Sequence, residues 1–186
     1  MHNYFLKKYY FIKEFDPNHL TKLSKNIILI YRNYNSKTND KIIIDIKQFC
    51  KKNRRKFYIA NDIKLAIKHN LDGIYLPSFN RQIIPFSCFQ RKDFRIIGSA
   101  HNIKEINQKK TQGISEIFIS SVYKHNNNYL GLYNFNKLLK NSNSRVIALG
   151  GVNENNLKSL KNLNIYGIAG ISFFQKKTAP KKGPLN

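Results

Sequence analysis

The sequence predicts an α/β chain that closes into a compact (β/α)8 barrel, the TIM barrel. Short, continuous apolar runs alternate with segments of helical spacing, which is typical of parallel strands covered by helices. Eight such strand-and-helix units fit along the 186 residues. The last two strands end in Gly150-Gly151 and in Ser172. Barrels commonly bind phosphate after these two strands, because glycine lets backbone N–H groups approach an anion.

The predicted strands are apolar runs of four to seven residues bounded by turn residues. In chain order they cover 9–12, 27–32, 57–60, 73–76, 94–98, 116–121, 146–151 and 166–172. The predicted helices follow from apolar residues three or four positions apart, and cover 40–52, 63–70, 102–111, 132–141 and 153–163. Asp16-Pro17 opens one further turn of helix after the first strand, and Asn102 is an N-cap.

The length of the chain constrains this barrel. Such barrels typically need about 250 residues, and about 200 is near the lower end, so the first helix must be almost vestigial. An open flavodoxin-like sheet is the alternative, since periodicity alone does not show closure. We expect one barrel domain over residues 1–175 and a flexible basic tail over 176–186.

Charge is the most unusual property of the composition. Lys and Arg total 33 against 10 Asp and Glu, a formal net charge of +23. The basic residues are scattered and lack the interleaved aromatics of single-strand binding platforms, so we expect no specific nucleic-acid partner. Two cysteines without metal-ligand spacing indicate a reducing, cytoplasmic setting. No apolar run reaches the roughly 18 residues of a membrane span. A homo-oligomer is left open.

Polar residues follow the predicted strands at their carboxyl ends, where barrels place their chemistry. Arg32 follows the second strand, Asp62 the third and His101 the fifth. Arg32 can clamp a phosphate, Asp62 can hold Mg²⁺ beside a pyrophosphate, and His101 can move a proton. Each also has a structural interpretation: a rim ion pair for Arg32, a helix N-cap for Asp62 and a helix-orienting residue for His101.

Five motifs occur in order between residues 27 and 174. They are Asn61-Asp62 ahead of Leu65-Ala66, Asp72-Gly73-Ile74-Tyr75-Leu76, Ile97-Gly98-Ser99-Ala100-His101, Ile147-Ala148-Leu149-Gly150-Gly151-Val152 and Gly167-Ile168-Ala169-Gly170-Ile171-Ser172. The set resembles the thiamine phosphate synthase and thiazole tautomerase (TenI) superfamily. The resemblance implies a (β/α)8 barrel and an enzyme of thiamine biosynthesis.

Resemblance to the synthase branch implies a transferase that joins a hydroxymethylpyrimidine pyrophosphate to a thiazole phosphate and releases pyrophosphate. It implies that Asn61 and Arg32 contact the pyrimidine substrate. Asp62 would hold Mg²⁺ and Ser99 would contact the pyrophosphate. Lys124 lies near the position of the family's pyrophosphate lysine.

The thiazole phosphate would be bound after the last two strands, by Gly150, Gly151 and Ser172. These positions match the family motifs. Phosphorylated small molecules are therefore the ligands that the resemblance implies.

The sequence also departs from the family pattern. Ile30 and Tyr34 replace the Gln and Lys that flank the arginine after the second strand, and Asn80 replaces a second metal carboxylate. The usual lysine motif after the sixth strand is absent, so the Mg²⁺ and pyrophosphate half is weakened while the thiazole-phosphate half is complete. Two alternatives stay open: a TenI-like tautomerase that uses His101, and a non-catalytic binder of phosphate ligands or nucleic acid.

Overall fold

The computed structural model describes residues 6–34, 39–123, 127, 129–160 and 162–175. Over these residues the chain forms a closed barrel of parallel strands in sequential order. The strands are β1 (Lys7–Ile12), β2 (Ile27–Tyr31), β3 (Phe57–Ala60), β4 (Gly73–Leu76), β5 (Arg95–Ala100), β6 (Glu116–Ile119), β7 (Arg145–Leu149) and β8 (Gly167–Gly170). Pairing of β1 with β8 closes the barrel, which confirms the (β/α)8 prediction and excludes the open sheet.

Short helices explain how a barrel fits this chain length. The helices are α1 (Pro17–Thr21), α2 (Asp40–Lys52), α3 (Ile63–Lys68), α4 (Phe86–Gln90), α5 (Ile103–Thr111), α6 (Gly131–Asn141), α7 (Leu157–Leu160) and α8 (Ser172–Gln175). The first helix has only five residues, as the length argument predicts. Asp16 caps it by accepting a hydrogen bond from the His19 N–H at 3.1 Å.

Three helices differ from the sequence prediction by more than two residues, while α3 ends at Lys68 rather than 70. The helices α4 and α8 were not predicted, because four or five residues are too few to show a helical period. The predicted helix over 153–163 shortens to α7. Its first residues form a turn instead, in which the Asn153 side chain accepts hydrogen bonds from the N–H groups of Asn155 and Asn156 at 3.0 and 3.1 Å.

The core has two layers, because successive side chains of each strand point to opposite sides of the barrel wall. One layer lies between the strands and the helices. The other fills the barrel interior, and half of its buried residues are aromatic. The rings of Phe11, Tyr75 and Phe118 meet edge to face there, with centroids 5.0 to 5.9 Å apart. These rings block the interior, so a ligand can enter only at an end of the barrel.

The end of the barrel at which the strands begin, opposite their carboxyl ends, carries a buried polar cluster. Glu116 accepts hydrogen bonds from the Tyr9 hydroxyl and, at 3.2 Å, from the Lys7 ammonium.

Within the part of the chain that the structure describes, no helix has the length and hydrophobicity that crossing a bilayer requires. The predicted tail over 176–186 lies outside the described residues, and the division at residue 175 stays a prediction.

Candidate active site

A cavity of about 520 Å³ opens at the carboxyl ends of the strands, and we call it the mouth cavity. Residues that follow six different strands line it, while Phe11 and Tyr75 reach it from the barrel interior. The predicted site residues that it brings together are Arg32, Ser99, His101, Gly150, Gly151 and Ser172. Among its described lining residues there is no Asp or Glu. The cavity is therefore suited to an anionic ligand.

Gly150 and Gly151 form a turn directly after β7 that only glycine can make. Their φ angles are +93° and +68°, in the left-handed region. A Cβ atom on Gly150 would lie 2.2 Å from the Ser121 hydroxyl, and one on Gly151 would lie 2.8 Å from the Tyr123 Cβ. Because side chains are excluded, the backbone itself forms this wall of the cavity.

The carbonyl groups of this turn accept hydrogen bonds from other groups of the protein. The Gly150 carbonyl accepts a hydrogen bond from the Tyr123 N–H at 3.1 Å, and the Gly151 carbonyl accepts one from Asn156 Nδ2 at 2.8 Å. Ser172 lines the same cavity as the first residue of α8, which the buried Phe173 and Phe174 hold against the barrel. Backbone amides with a neighbouring hydroxyl are groups that bind phosphate.

His101 is held in one tautomer by the end of β6. Its Nδ1 lies 2.8 Å from the Ser120 carbonyl oxygen, and a carbonyl only accepts, so we assign the proton to Nδ1. Nε2 is then the acceptor of the neutral ring. The cap of α5 comes from other groups: Asn102 accepts from the Glu105 N–H at 3.0 Å, and Glu105 accepts from the His101 N–H at 2.7 Å. The imidazole is thus not needed as a helix cap.

Arg32 stacks on the aromatic floor of the cavity. Its guanidinium carbon lies 4.6 Å from the centre of the Phe11 ring, a cation–π contact. The ion pairs between described residues do not include Arg32, so they give no support to the rim ion pair considered above. Tyr34 and Phe79 meet at the entrance, with ring centroids 6.0 Å apart. Burial raises the pKa of Tyr34, so its phenol stays neutral beside this charge.

Ser99 and Tyr75 supply neutral polar groups deeper in the cavity. Ser99 is buried near the end of β5. Burial raises the pKa of Tyr75 to about 12, and a hydrogen bond with Ser99 opposes that rise. Both side chains therefore stay uncharged near neutral pH and provide hydroxyl groups.

Asn61 and Asp62 do not line the mouth cavity. Asp62 is the N-cap of α3 and accepts a hydrogen bond from the Leu65 N–H at 2.9 Å, the structural role considered for it. The Asn61 side chain accepts a hydrogen bond from Asn80 Nδ2 at 2.8 Å. Lys124, the remaining predicted site residue, lies outside the described residues.

A magnesium site is not formed by the side chains described at this rim. Mg²⁺ prefers octahedral oxygen ligands that include carboxylates. Asp62 already caps a helix with one oxygen, and the amides of Asn61 and Asn80 bond to each other. Over the described ranges, no three His, Cys, Asp or Glu side chains cluster as metal ligands would. These residues do not fit the two-carboxylate site that the family resemblance implies.

Sequence reasoning missed the aromatic residues of the cavity. Phe11 and Tyr75 look like ordinary strand core, and Phe79 looks like a loop residue. One signal was available: Tyr75 alternates with Ile74 and Leu76 along β4, and this alternation directs it into the barrel.

Comparison with known proteins agrees with the fold. The family model described as thiamine monophosphate synthase matches residues 20–174. The thiamine-phosphate synthase of Prochlorococcus marinus subsp. pastoris is 30% identical over 156 residues, which are 81% of this chain and 44% of that protein. The thiamine-phosphate synthase of Fusobacterium nucleatum is 25% identical over 166 residues, 87% of this chain and 81% of that protein.

Among solved structures, the thiamine phosphate pyrophosphorylase from Pyrococcus furiosus superposes with a TM-score of 0.71 at 18% identity, covering 90% of this chain and 86% of that one. That likeness shows the fold. The chain spans less than half the length of the Prochlorococcus relatives that it matches, between 42% and 46%. The match of the family model over most of the barrel shows the family itself: the chain belongs to the thiamine monophosphate synthase family.

Proposed function

We propose that this chain is a divergent thiamine-phosphate synthase, which couples a hydroxymethylpyrimidine pyrophosphate to a thiazole phosphate in the mouth cavity. The observation that carries the proposal is the gathering of Arg32, Ser99, Gly150, Gly151 and Ser172 around one cavity without a lining carboxylate. Family membership and the names of the relatives support the reaction class.

In this proposal the phosphate of the thiazole is bound by the Gly150-Gly151 turn and the Ser172 hydroxyl. Backbone amides suit this role because they carry no negative charge and need no reorganisation when the anion arrives. The thiazole ring would then extend over the aromatic floor formed by Phe11 and Tyr75, which keeps water away from it.

The pyrophosphate of the second substrate is assigned to Arg32 and Ser99. In the reaction the bond between the pyrimidine methylene carbon and the pyrophosphate oxygen breaks, and the oxygen keeps the electron pair. The thiazole nitrogen then forms a bond to that carbon with its lone pair. Arg32 stabilises the charge that develops on the leaving pyrophosphate, and its stacking on Phe11 fixes the guanidinium.

Magnesium and the remaining family positions enter the proposal in a limited way. When bound, Mg²⁺ would neutralise pyrophosphate, and Asp62 is the residue that the resemblance assigns to it. Because the described side chains do not form that site, we derive no step through the metal. Asn61 and Lys124 stay candidates for the pyrimidine and pyrophosphate groups.

A TenI-like thiazole tautomerase is the second candidate, and the geometry of His101 favours it. Its Nδ1 is engaged by the Ser120 carbonyl, so Nε2 can accept a proton from a ring carbon and return it elsewhere. This reaction needs the thiazole-phosphate half of the cavity and no pyrophosphate.

A non-catalytic protein that binds phosphate ligands or nucleic acid is the third candidate. For all three we propose a cytoplasmic setting; a homo-oligomer stays a prediction.

The direct test supplies both substrates to the purified chain, with and without Mg²⁺, and follows thiamine phosphate and released pyrophosphate. A synthase forms both products, and Arg32→Met lowers the rate strongly while His101→Gln retains part of it. A tautomerase instead interconverts thiazole phosphate isomers and loses this activity in His101→Gln. Absence of both reactions would refute the two enzymatic candidates. Polynucleotide binding that weakens steeply with salt would then support the third.

A further inference from the structure

Lys109 on α5 is a fully buried lysine that the proposed reaction does not use. Its side chain is 0% exposed, although lysine is among the residue types most rarely buried. Its ammonium donates to the backbone carbonyl of Asn80 at 2.7 Å and to Gln112 Oε1 at 2.9 Å. Burial lowers the pKa of Lys109 to about 8. Burying an ammonium is unfavourable until its contacts are formed, so this position needs an explanation.

The partners of Lys109 form a connected set of amide hydrogen bonds. Gln112 Nε2 donates to Asn80 Oδ1 at 3.1 Å and to the Gln82 carbonyl at 2.8 Å. Asn80 Oδ1 also accepts from the Gln82 N–H at 2.9 Å, and Asn80 Nδ2 donates to Asn61 at 2.8 Å. The set therefore joins α5 to the loop that follows β4 and to the end of β3.

This loop, residues 77–82, forms one wall of the mouth cavity through Pro77, Ser78 and Phe79. Phe79 is 65% exposed and contacts Tyr34 edge to face, so its own packing holds it weakly. The carbonyl that Lys109 binds belongs to the residue directly after Phe79. The position of the wall consequently depends on a contact made beneath it by α5.

We propose that Lys109, assisted by Gln112, is a positioning residue that holds loop 77–82 as the wall of the mouth cavity against which the pyrimidine pyrophosphate binds. The ligand in this statement rests on the proposed function. Lys109 touches no substrate in this arrangement and acts through Asn80. The Gly150-Gly151 turn follows β7, three strands further along the barrel wall, and does not depend on it.

The test compares Lys109→Met with Lys110→Met. Methionine keeps the length of the side chain and removes the ammonium, and Lys110 is the exposed neighbour on the same helix. Hydrogen exchange of loop 77–82 is measured first, without ligand. We expect protection in Lys109→Met to fall at least about tenfold, because removing a partner frees the loop to open locally, and to stay at the wild-type level in Lys110→Met. Wild-type protection in Lys109→Met would overturn the proposal.

Calorimetric titration supplies the second measurement, with the pyrimidine pyrophosphate and with inorganic phosphate as separate probes. We expect Lys109→Met to weaken binding of the pyrimidine compound by about tenfold and to leave phosphate binding unchanged, since phosphate is assigned to the Gly150-Gly151 turn and Ser172. Equal losses for both probes would indicate general destabilisation and overturn the positioning role. If wild type does not bind the pyrimidine compound, the synthase proposal fails, and hydrogen exchange still decides the role of Lys109.

Gln112→Met keeps the test falsifiable if Lys109→Met does not fold. This variant retains the ammonium but removes its Gln112 acceptor, together with the hydrogen bonds from Gln112 to Asn80 Oδ1 and Gln82. We expect the same loss of protection in loop 77–82 to a smaller extent. Unchanged protection in Gln112→Met would contradict the proposal by itself.

Discussion

The guanidinium of Arg32 combines a fixed position with a free charge, because it stacks on Phe11 and takes part in no ion pair between the described residues. We predict that Arg32→Met weakens binding of the pyrimidine pyrophosphate by about 10- to 100-fold, the loss of one charge-assisted contact. Arg32→Lys restores only part of this affinity, since an ammonium neither stacks nor binds two oxygens in the same way. Calorimetry at constant ionic strength measures both variants.

Arg91 provides the matched control for Arg32. Its guanidinium carbon lies 4.7 Å from the Phe94 ring, and it does not line the mouth cavity. Arg91→Met changes the net charge by the same amount and should leave the affinity near that of wild type. Equal losses in the two variants would mean that binding follows the overall charge of +23 rather than this site.

Asp62 can be tested for its two roles separately, because asparagine caps a helix as well as aspartate does. We predict that Asp62→Ala lowers the free energy of unfolding by about 1 kcal/mol and that Asp62→Asn changes it by only a few tenths. Denaturant unfolding measures both. Asp62→Asn keeps the helix cap and removes the carboxylate. Any Mg²⁺-dependent part of pyrophosphate binding would therefore be lost in this variant without a loss of stability. Equal destabilisation by the two variants would contradict the N-cap assignment.

Gly151 carries the most specific prediction for the phosphate site. Gly151→Asp should abolish binding of the thiazole phosphate, because it adds a negative charge and a side chain that meets Tyr123. Gly131→Asp is the control: its φ is +72°, but a Cβ there meets nothing closer than 3.5 Å, and it does not line the cavity. Titration with the thiazole phosphate distinguishes them. Unchanged affinity in Gly151→Asp would show that the phosphate binds elsewhere.

Helix α5 shows how one element serves both the core and the site. Asn102 and Glu105 close its first turn, and Lys109 near its other end reaches beneath loop 77–82. The sequence predicts the helix and its N-cap. It does not predict the inward position of Lys109, because a lysine on an amphipathic helix is usually solvated.

The pH dependence of stability tests the burial of Lys109. Burial lowers the pKa of Lys109 from its ordinary value of 10.5 to about 8 in the folded protein, and the charge of Glu105 opposes part of this shift. Between these values the unfolded chain binds more protons, so this residue makes the free energy of unfolding rise with pH from about 8 to 10.5. The difference between wild type and Lys109→Met in denaturant unfolding isolates this contribution. Parallel pH profiles for the two proteins would contradict it.

At the scale of the elements, strands are more predictable than helices in this chain. Each strand is a continuous apolar run, and parallel strands buried on both faces need no other signal. The structure shifts several strand ends by one or two residues; β7, for example, ends at Leu149 rather than 151. The short α4, α7 and α8 depend on local hydrogen bonds and burial of one or two side chains, which periodicity does not report.

The whole molecule explains why most of the candidate site could be predicted. The carboxyl ends of parallel strands meet at one end of a closed barrel, so residues far apart in sequence gather there. For this reason Arg32 and Ser172, which are far apart in sequence, both line the mouth cavity. Asn61 and Asp62 also follow a strand, but their side chains do not line the cavity. Asn61 accepts a hydrogen bond from Asn80, and Asp62 accepts one from the Leu65 N–H. Those local hydrogen bonds are not visible in a motif.

The central claim is that the mouth cavity binds a phosphorylated thiazole through neutral backbone groups. Calorimetric titration of the purified chain with the thiazole phosphate, with and without Mg²⁺, tests it most directly. We predict one binding site per chain and the same affinity in both conditions, because the Gly150-Gly151 turn and Ser172 need no metal. No binding in either condition, or binding only when Mg²⁺ is present, would contradict the account.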